Sequence, residues 1–165
     1  MNDAGPTDDV ILRWQQGRAD IEAMLADGRL TRVVASRELA DQYLDTGRTR
    51  LKVVTRVQAE DPEGAFVLAY DAARLALAAV LINQGLRPRG EGAHAVLLDA
   101  VLAQTEPPRQ QQLRQFTWMR KLRNDTQYPD IDRPTASSDD LAQAIPAVAA
   151  ILERAQTLVE HMPPF

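Results

Sequence analysis

The stretch from Asp61 to Gly85 constrains this fold more than any other part of the 165-residue chain. Asp61 is a good helix N-cap, Pro62 suits the first helical position, and Gly85 supplies the stop. Between them Phe66, Ala69, Tyr70, Ala73, Leu77, Val80 and Leu81 recur at helical spacing as one apolar stripe. Leu68, Ala72, Leu75, Ala76 and Ala79 form a second. A helix that is apolar on most sides has to be surrounded by other elements. The expectation is therefore a bundle with this helix at its centre. Between Ala65 and Ile82 the only charges are Asp71 and Arg74, three apart and so on one face. Charges in such a helix are costly unless partnered. Spacing leaves two readings open: a structural ion pair, or a pair beside a site, with Asp71 orienting Arg123.

The remaining pattern supplies the helices that would enclose this one. A first helix is expected over residues 8–26, with Val10, Trp14, Ile21 and Leu25 on one side and Gly17 interrupting it. Residues 1–7 read as a disordered N-terminus. A second helix, about 36–59, carries Leu39, Tyr43, Gly47, Leu51 and Val54 on one face. Glycine inside a helix costs about 1 kcal/mol relative to alanine, so close approach of a neighbouring backbone at Gly47 is the expected compensation. Residues 86–92, with Arg87, Pro88, Arg89 and two glycines, read as a loop before a short helix at about 93–103. Pro107-Pro108 separates that helix from a basic one, about 109–126, with Leu113, Phe116, Met119 and Leu122 inward. After a loop framed by Pro129 and Pro134, Ser137 or Ser138 caps a final helix, where Pro146 is expected to introduce a kink. No period-two alternation of useful length is present. Alanine abounds and aromatics are only 5%, which suits closely packed helices and not a sandwich or barrel. The expected fold is all-α, one domain over residues 8–165.

Several function classes drop out. With no cysteine in the sequence, disulfides, thiolate metal sites and cysteine nucleophiles are excluded. No run approaches the ~18 apolar residues of a membrane span, and the polar, acidic N-terminus is not a signal peptide. A cytoplasmic protein is expected, without cofactors. The net charge of −4 argues against a general nucleic-acid binder, but charge is unevenly placed. Residues 107–124 hold Arg109, Arg114, Arg120, Lys121 and Arg123 with no acid, whereas 137–165 hold four acids against Arg154. Local sign decides what a cleft attracts.

The basic helix ends in the candidate site. Arg120, Lys121, Arg123 and Asn124 lie in its last turns, and Tyr128 follows one turn after Asn124. Arginine offers a planar fork of donors that fits phosphate, and Asn offers both donor and acceptor. Tyr can hydrogen-bond, stack on a base, or move a proton if its pKa is lowered. Against this stands the plain reading of a solvated helix end, where basic residues and Asn are common. His94 opens the short helix after the glycine-rich loop, either as an exposed residue or as support for the site. The only other histidine is His161, so no metal-ligand spacing exists. Phosphate-binding glycine loops, the nucleophile elbow and a DNA-reading helix-turn-helix are not evident.

Taken together, these residues resemble a known family. Ala69-Tyr70-Asp71-Ala72-Ala73-Arg74-Leu75-Ala76-Leu77-Ala78-Ala79-Val80-Leu81, Gly85-Leu86-Arg87, Gly92-Ala93-His94, Leu97-Leu98, Leu122-Arg123-Asn124 and Tyr128 look like the HEPN domain, over about residues 36–160. The resemblance implies an all-α bundle of four to five main helices, with the N-terminal helix added. It also implies a homodimer in which Arg-Asn helix ends face each other across a cleft. Many members are metal-independent endoribonucleases, often toxins paired with a nucleotidyltransferase antitoxin. The family motif is Arg, a polar residue, a few further residues, then His. Arg123 and Asn124 match it, but Tyr128 stands where the His belongs. A Tyr with a reference pKa of about 10 is a poor general base. Two functions therefore follow from the resemblance. One is an RNA-directed protein, a ribonuclease with Arg123, Asn124 and Tyr128 in the catalytic positions. The other is a non-catalytic module that binds nucleotide, RNA or a protein partner. In both, Asp71, Arg74, His94, Arg120 and Lys121 support the site or bind RNA.

Overall fold

Asp61 and Gly85 bound the central helix as the sequence predicts. In the computed structural model, which describes residues 13–128, 130–132 and 134–165, helix α3 spans Pro62–Gln84. The Asp61 side chain accepts from the Gly64 amide at 2.8 Å, and Gly85 adopts φ +81°. The other elements are α1 (Arg18–Ala26), β1 (Leu30–Arg32), α2 (Arg37–Val57), β2 (Leu86–Pro88), α4 (Ala93–Thr105), α5 (Gln111–Arg114), α6 (Phe116–Gln127) and α7 (Ser138–His161). Helix α3 packs against α2, α7, α6 and α4. It buries Phe66, Tyr70, Leu77 and Leu81 to 1% exposure or less. By length and composition it is also apolar enough to cross a membrane, contrary to the reading of the sequence. Its apolar window has a mean hydropathy of 1.9, but 72% of that window is buried inside the bundle, the environment of a core helix.

Capping residues set the flanking helices. The Ser36 hydroxyl accepts from the Leu39 amide at the start of α2. Ser137 and Asp140 form a reciprocal capping box at the start of α7. Helix α7 runs unbroken through Pro146, whose side chain is exposed. Gly47 stands where α2 meets α3 and α7. A Cβ there would lie 2.8 Å from Leu152 Cδ2 and 3.1 Å from the Ala72 carbonyl oxygen. That is the close approach its position predicted.

Three expectations are corrected. The first helix begins at Arg18, and residues 13–17 are not helical. Gly17 has φ +71°, and a Cβ there would meet the Ala103 carbonyl oxygen at 2.1 Å. The chain turns at Gly17 to cross α4, and Trp14 Nε1 donates to the Gln104 carbonyl at 3.0 Å. Residues 1–12, including the expected disordered start, lie outside the described residues. The segment after Gly85 is not only loop: Leu86–Pro88 pairs antiparallel with Leu30–Arg32, in the register Leu30↔Pro88, Thr31↔Arg87, Arg32↔Leu86. Three-residue strands are too short for alternation to reveal them. The basic helix is split at Gln115 into α5 and α6. Gln110, buried, ties the entry to α5 by donating from Nε2 to the Thr105 and Pro108 carbonyls.

Candidate functional site

One turn of α3 presents Tyr70, Asp71 and Arg74 toward α2, α4 and α6. Asp71 Oδ1 accepts from Arg74 Nε at 2.7 Å and pairs with Arg74 Nη2 at 2.6 Å. Its second oxygen pairs with Arg50 of α2. Asp71 thus bridges two guanidinium groups, and it does not orient Arg123. It is partly rather than fully buried, at 28% side-chain exposure.

Tyr70 is the floor of the site. Its ring is 1% exposed and stacks on Phe116 of α6, with centroids 5.0 Å apart and planes 18° apart. The Arg123 guanidinium lies over the Tyr70 ring, 5.6 Å from its centroid. The Tyr70 hydroxyl is 2.8 Å from Nδ1 of His94. Gly92, at φ +75°, turns the chain into α4 so that His94 arrives in its first turn. Burial pushes the Tyr70 phenol up to about 12, against the opposing pull of Arg123, Arg120 and Arg74. Burial lowers the His94 pKa, and the same positive neighbours, Arg74, Arg123 and Arg120, lower it further. Near neutral pH the two are therefore a protonated phenol and a neutral imidazole sharing one hydrogen bond.

Three open cavities meet here. One, of about 490 Å³, is lined by Arg50, Tyr70, Asp71, Arg74, His94 and Arg123. A second, of about 290 Å³, lies between Gly90, Gly92, His94, Arg120 and Asn124. A third, of about 270 Å³, has apolar walls including Ile82, Leu86 and Leu97, with Tyr43, Arg74, Arg87 and His94 at its polar side. His94 lines all three, and among the described residues Asp71 is the one carboxylate in their walls. One wall holds an unspent donor. Among the described residues Arg123 Nε is buried without a hydrogen-bond partner, and its Nη1 reaches only Asn124 Oδ1, at 3.4 Å. A buried donor without an acceptor is unfavourable by about 1–3 kcal/mol.

The structure brings together most of the residues singled out in the sequence. Arg123, Asn124, Arg120, His94, Asp71 and Arg74 line the adjoining cavities. Lys121 lies on the outer face of α6, where it lines a neighbouring hollow with Arg114, Trp118 and Arg120. Tyr128, the C-cap of α6, is 71% exposed and lines none of these hollows. Two contributors escaped the sequence reading. Tyr70 sits in an apolar stripe and reads as core. Arg50 is one of several basic residues on α2, with no local signal to distinguish it. Among the described residues there is no group of three or more His, Cys, Asp or Glu side chains placed to hold a metal ion.

A family model, the HEPN domain, matches residues 37–158, most of the chain. No curated protein and no solved structure gives a significant match.

Proposed function

We propose that this chain, which belongs to the HEPN family, is an RNA-directed protein that holds a backbone phosphate at Arg123 and Arg74 and cleaves the strand without a metal ion. HEPN domains often dimerise and bind RNA. The observation that carries the reading is the Arg123 side chain lining a cleft with two further arginines, Arg50 and Arg74, and one carboxylate among the described residues, its Nη1 held there only by a 3.4 Å contact to Asn124 Oδ1. A phosphate oxygen is the acceptor such a fork fits best. Cleavage of RNA without metal uses the 2′-oxygen as nucleophile, which attacks phosphorus while the bond to the 5′-oxygen breaks. The protein then has to align the strand and stabilise charge on the phosphoryl oxygens. Arg123 and Arg74 serve the second need, and Asn124, beside Arg123, serves the first.

The expected assembly is a cytoplasmic homodimer that sets two Arg123-Asn124 ends across one cleft. A toxin–antitoxin or defence setting, with a nucleotidyltransferase-type partner, is the context this reading anticipates. One observation favours a second reading, a module that binds RNA or a nucleotide without cutting it: the position of the motif His holds Tyr128. Incubation with total RNA in excess chelator separates the readings. Cleavage by the wild type and its loss in Arg123→Ala supports the ribonuclease. Binding without cleavage, lost in Arg123→Ala, supports the module. RNA that Arg123→Ala cuts and binds as the wild type does, or that the wild type neither cuts nor binds, refutes both.

A further inference from the structure

We infer that His94, positioned by Tyr70, is the proton-transferring residue of this site, in place of a histidine on the Arg123 helix. This rests on the ribonuclease reading and assigns its missing group.

A 2′-hydroxyl becomes an effective nucleophile when a neighbouring base takes its proton, and the base works best if it titrates near the operating pH. Tyr128 is exposed and outside the cavities. His161 is far along α7, where Nδ1 contacts the Thr157 carbonyl, and it lines a different hollow with Arg37 and Asn83. His94 is the one imidazole at the arginine cluster. Its Nδ1 is engaged by the Tyr70 hydroxyl, and no other hydrogen bond to it is present among the described residues. His94 lines all three cavities, and with Nδ1 taken by Tyr70 its Nε2 is the nitrogen left for a substrate.

The support is rigid and shared. Tyr70 is locked by burial and by stacking on Phe116, and it carries Arg123 beside its ring and His94 at its hydroxyl. One side chain thereby fixes the phosphate-binding group relative to the base. A Tyr at this point of α3 has a role that an apolar core residue would not fulfil. In the base-competent tautomer Nδ1–H donates to the Tyr70 oxygen and Nε2 is free to accept.

The charged and titratable groups around His94 favour the neutral imidazole. Arg74, Asp71 and Tyr70 face it from α3, Arg120 and Arg123 from α6, Arg50 and Tyr43 from α2 and Arg87 from β2. The lone carboxylate, Asp71, is engaged with Arg50 and Arg74. The step balances without an added reagent. Nε2 takes the 2′-hydroxyl proton as the O–P bond forms. The 5′-oxygen leaves with a proton from water, and the imidazolium returns its own to the hydroxide produced. The products are a 2′,3′-cyclic phosphate and a free 5′-hydroxyl.

The test is single-turnover cleavage of a mixed-sequence, single-stranded RNA oligonucleotide in chelator across pH, with affinity measured on its 2′-deoxy counterpart. His94→Gln keeps a hydrogen-bonding group for Tyr70 but cannot take the proton. It should cut on the order of 100-fold more slowly or worse, with affinity within about twofold. The wild-type rate should rise with pH along a limb that His94→Gln lacks. Tyr70→Phe should move that limb and slow cleavage, because His94 loses its anchor. If His94→Gln cuts at the wild-type rate, or loses affinity in proportion to rate, the assignment of His94 is overturned while the ribonuclease reading stands. If wild type binds but does not cut, both fall. Should His94→Gln fail to fold, Tyr70→Phe decides: an unmoved limb overturns the assignment.

Discussion

Replacing Asp71 by Asn should make the protein less stable and, at low salt, a tighter binder of RNA. The two effects have one cause. Asp71 neutralises Arg74 on its own helix and Arg50 on α2, and among the described residues it is the only carboxylate lining the arginine-rich cavity. A fully buried pair would lose about 3–5 kcal/mol when broken. Here the exposures are 28% for Asp71, 28% for Arg74 and 35% for Arg50, so solvent screens both contacts. Taking the upper part of the exposed-pair range, about 0.5–1 kcal/mol for each, the loss is about 1–2 kcal/mol. For a domain of this length that corresponds to a fall of about 2–8 °C in melting temperature. The freed guanidinium groups become available to phosphate. One further phosphate contact on a single strand should steepen the dependence of log affinity on log salt by about 0.7. Thermal unfolding by circular dichroism and RNA titrations at several salt concentrations read the two quantities. An unchanged melting temperature would mean that the bridge is ornamental. A salt dependence that becomes shallower would refute the idea that Asp71 holds back charge that RNA would otherwise meet.

Two further substitutions probe the scaffold. Gly47→Ala should gain about 1 kcal/mol of helix propensity and lose about 1–3 kcal/mol to overpacking. Although Leu152 can shift, the Ala72 carbonyl at 3.1 Å belongs to the core helix. The net change expected in a denaturant titration is a loss, and a gain would refute the contact. Glu106→Gln should flatten the acid side of the stability profile. The Arg114 side chain, with help from the Gln110 amide, holds the Glu106 carboxyl down to about 2 from an ordinary 4.5. The folded pKa is depressed, so the contribution is present above about pH 4.5 and fades as pH falls toward 2. Urea midpoints measured across that window should fall less steeply in the variant. Parallel curves would show that Glu106 contributes nothing there.

Much of this molecule was legible in the residues because the signals are local. Asp61-Pro62 and Gly85 mark both ends of α3, Ser36 and Ser137 cap α2 and α7, and each acts within one helical turn. The apolar stripes of α3 place it at the centre, since burial follows from a pattern within a single helix. Gly47 announced a close approach for a similar reason: a costly residue on an apolar face calls for a neighbour. Where a partner distant in sequence decides, the residues are silent. Gly17 shortens α1 because the backbone there meets Ala103, and the strand pair joins segments more than fifty residues apart. The candidate site divides along the same line. Arg123-Asn124, Asp71-Arg74 and His94 carry chemistry in their side chains and stand out in the chain. That Asp71 answers to Arg50, that Tyr70 is a polar support rather than core filling, and that His94 comes nearer to Arg123's ring partner than Tyr128 does are products of packing. Helix caps and periodicity are short-range and belong to the sequence. Which side chain of one helix reaches the next depends on rotation and approach that the whole bundle sets at once, so only the tertiary structure could decide the site.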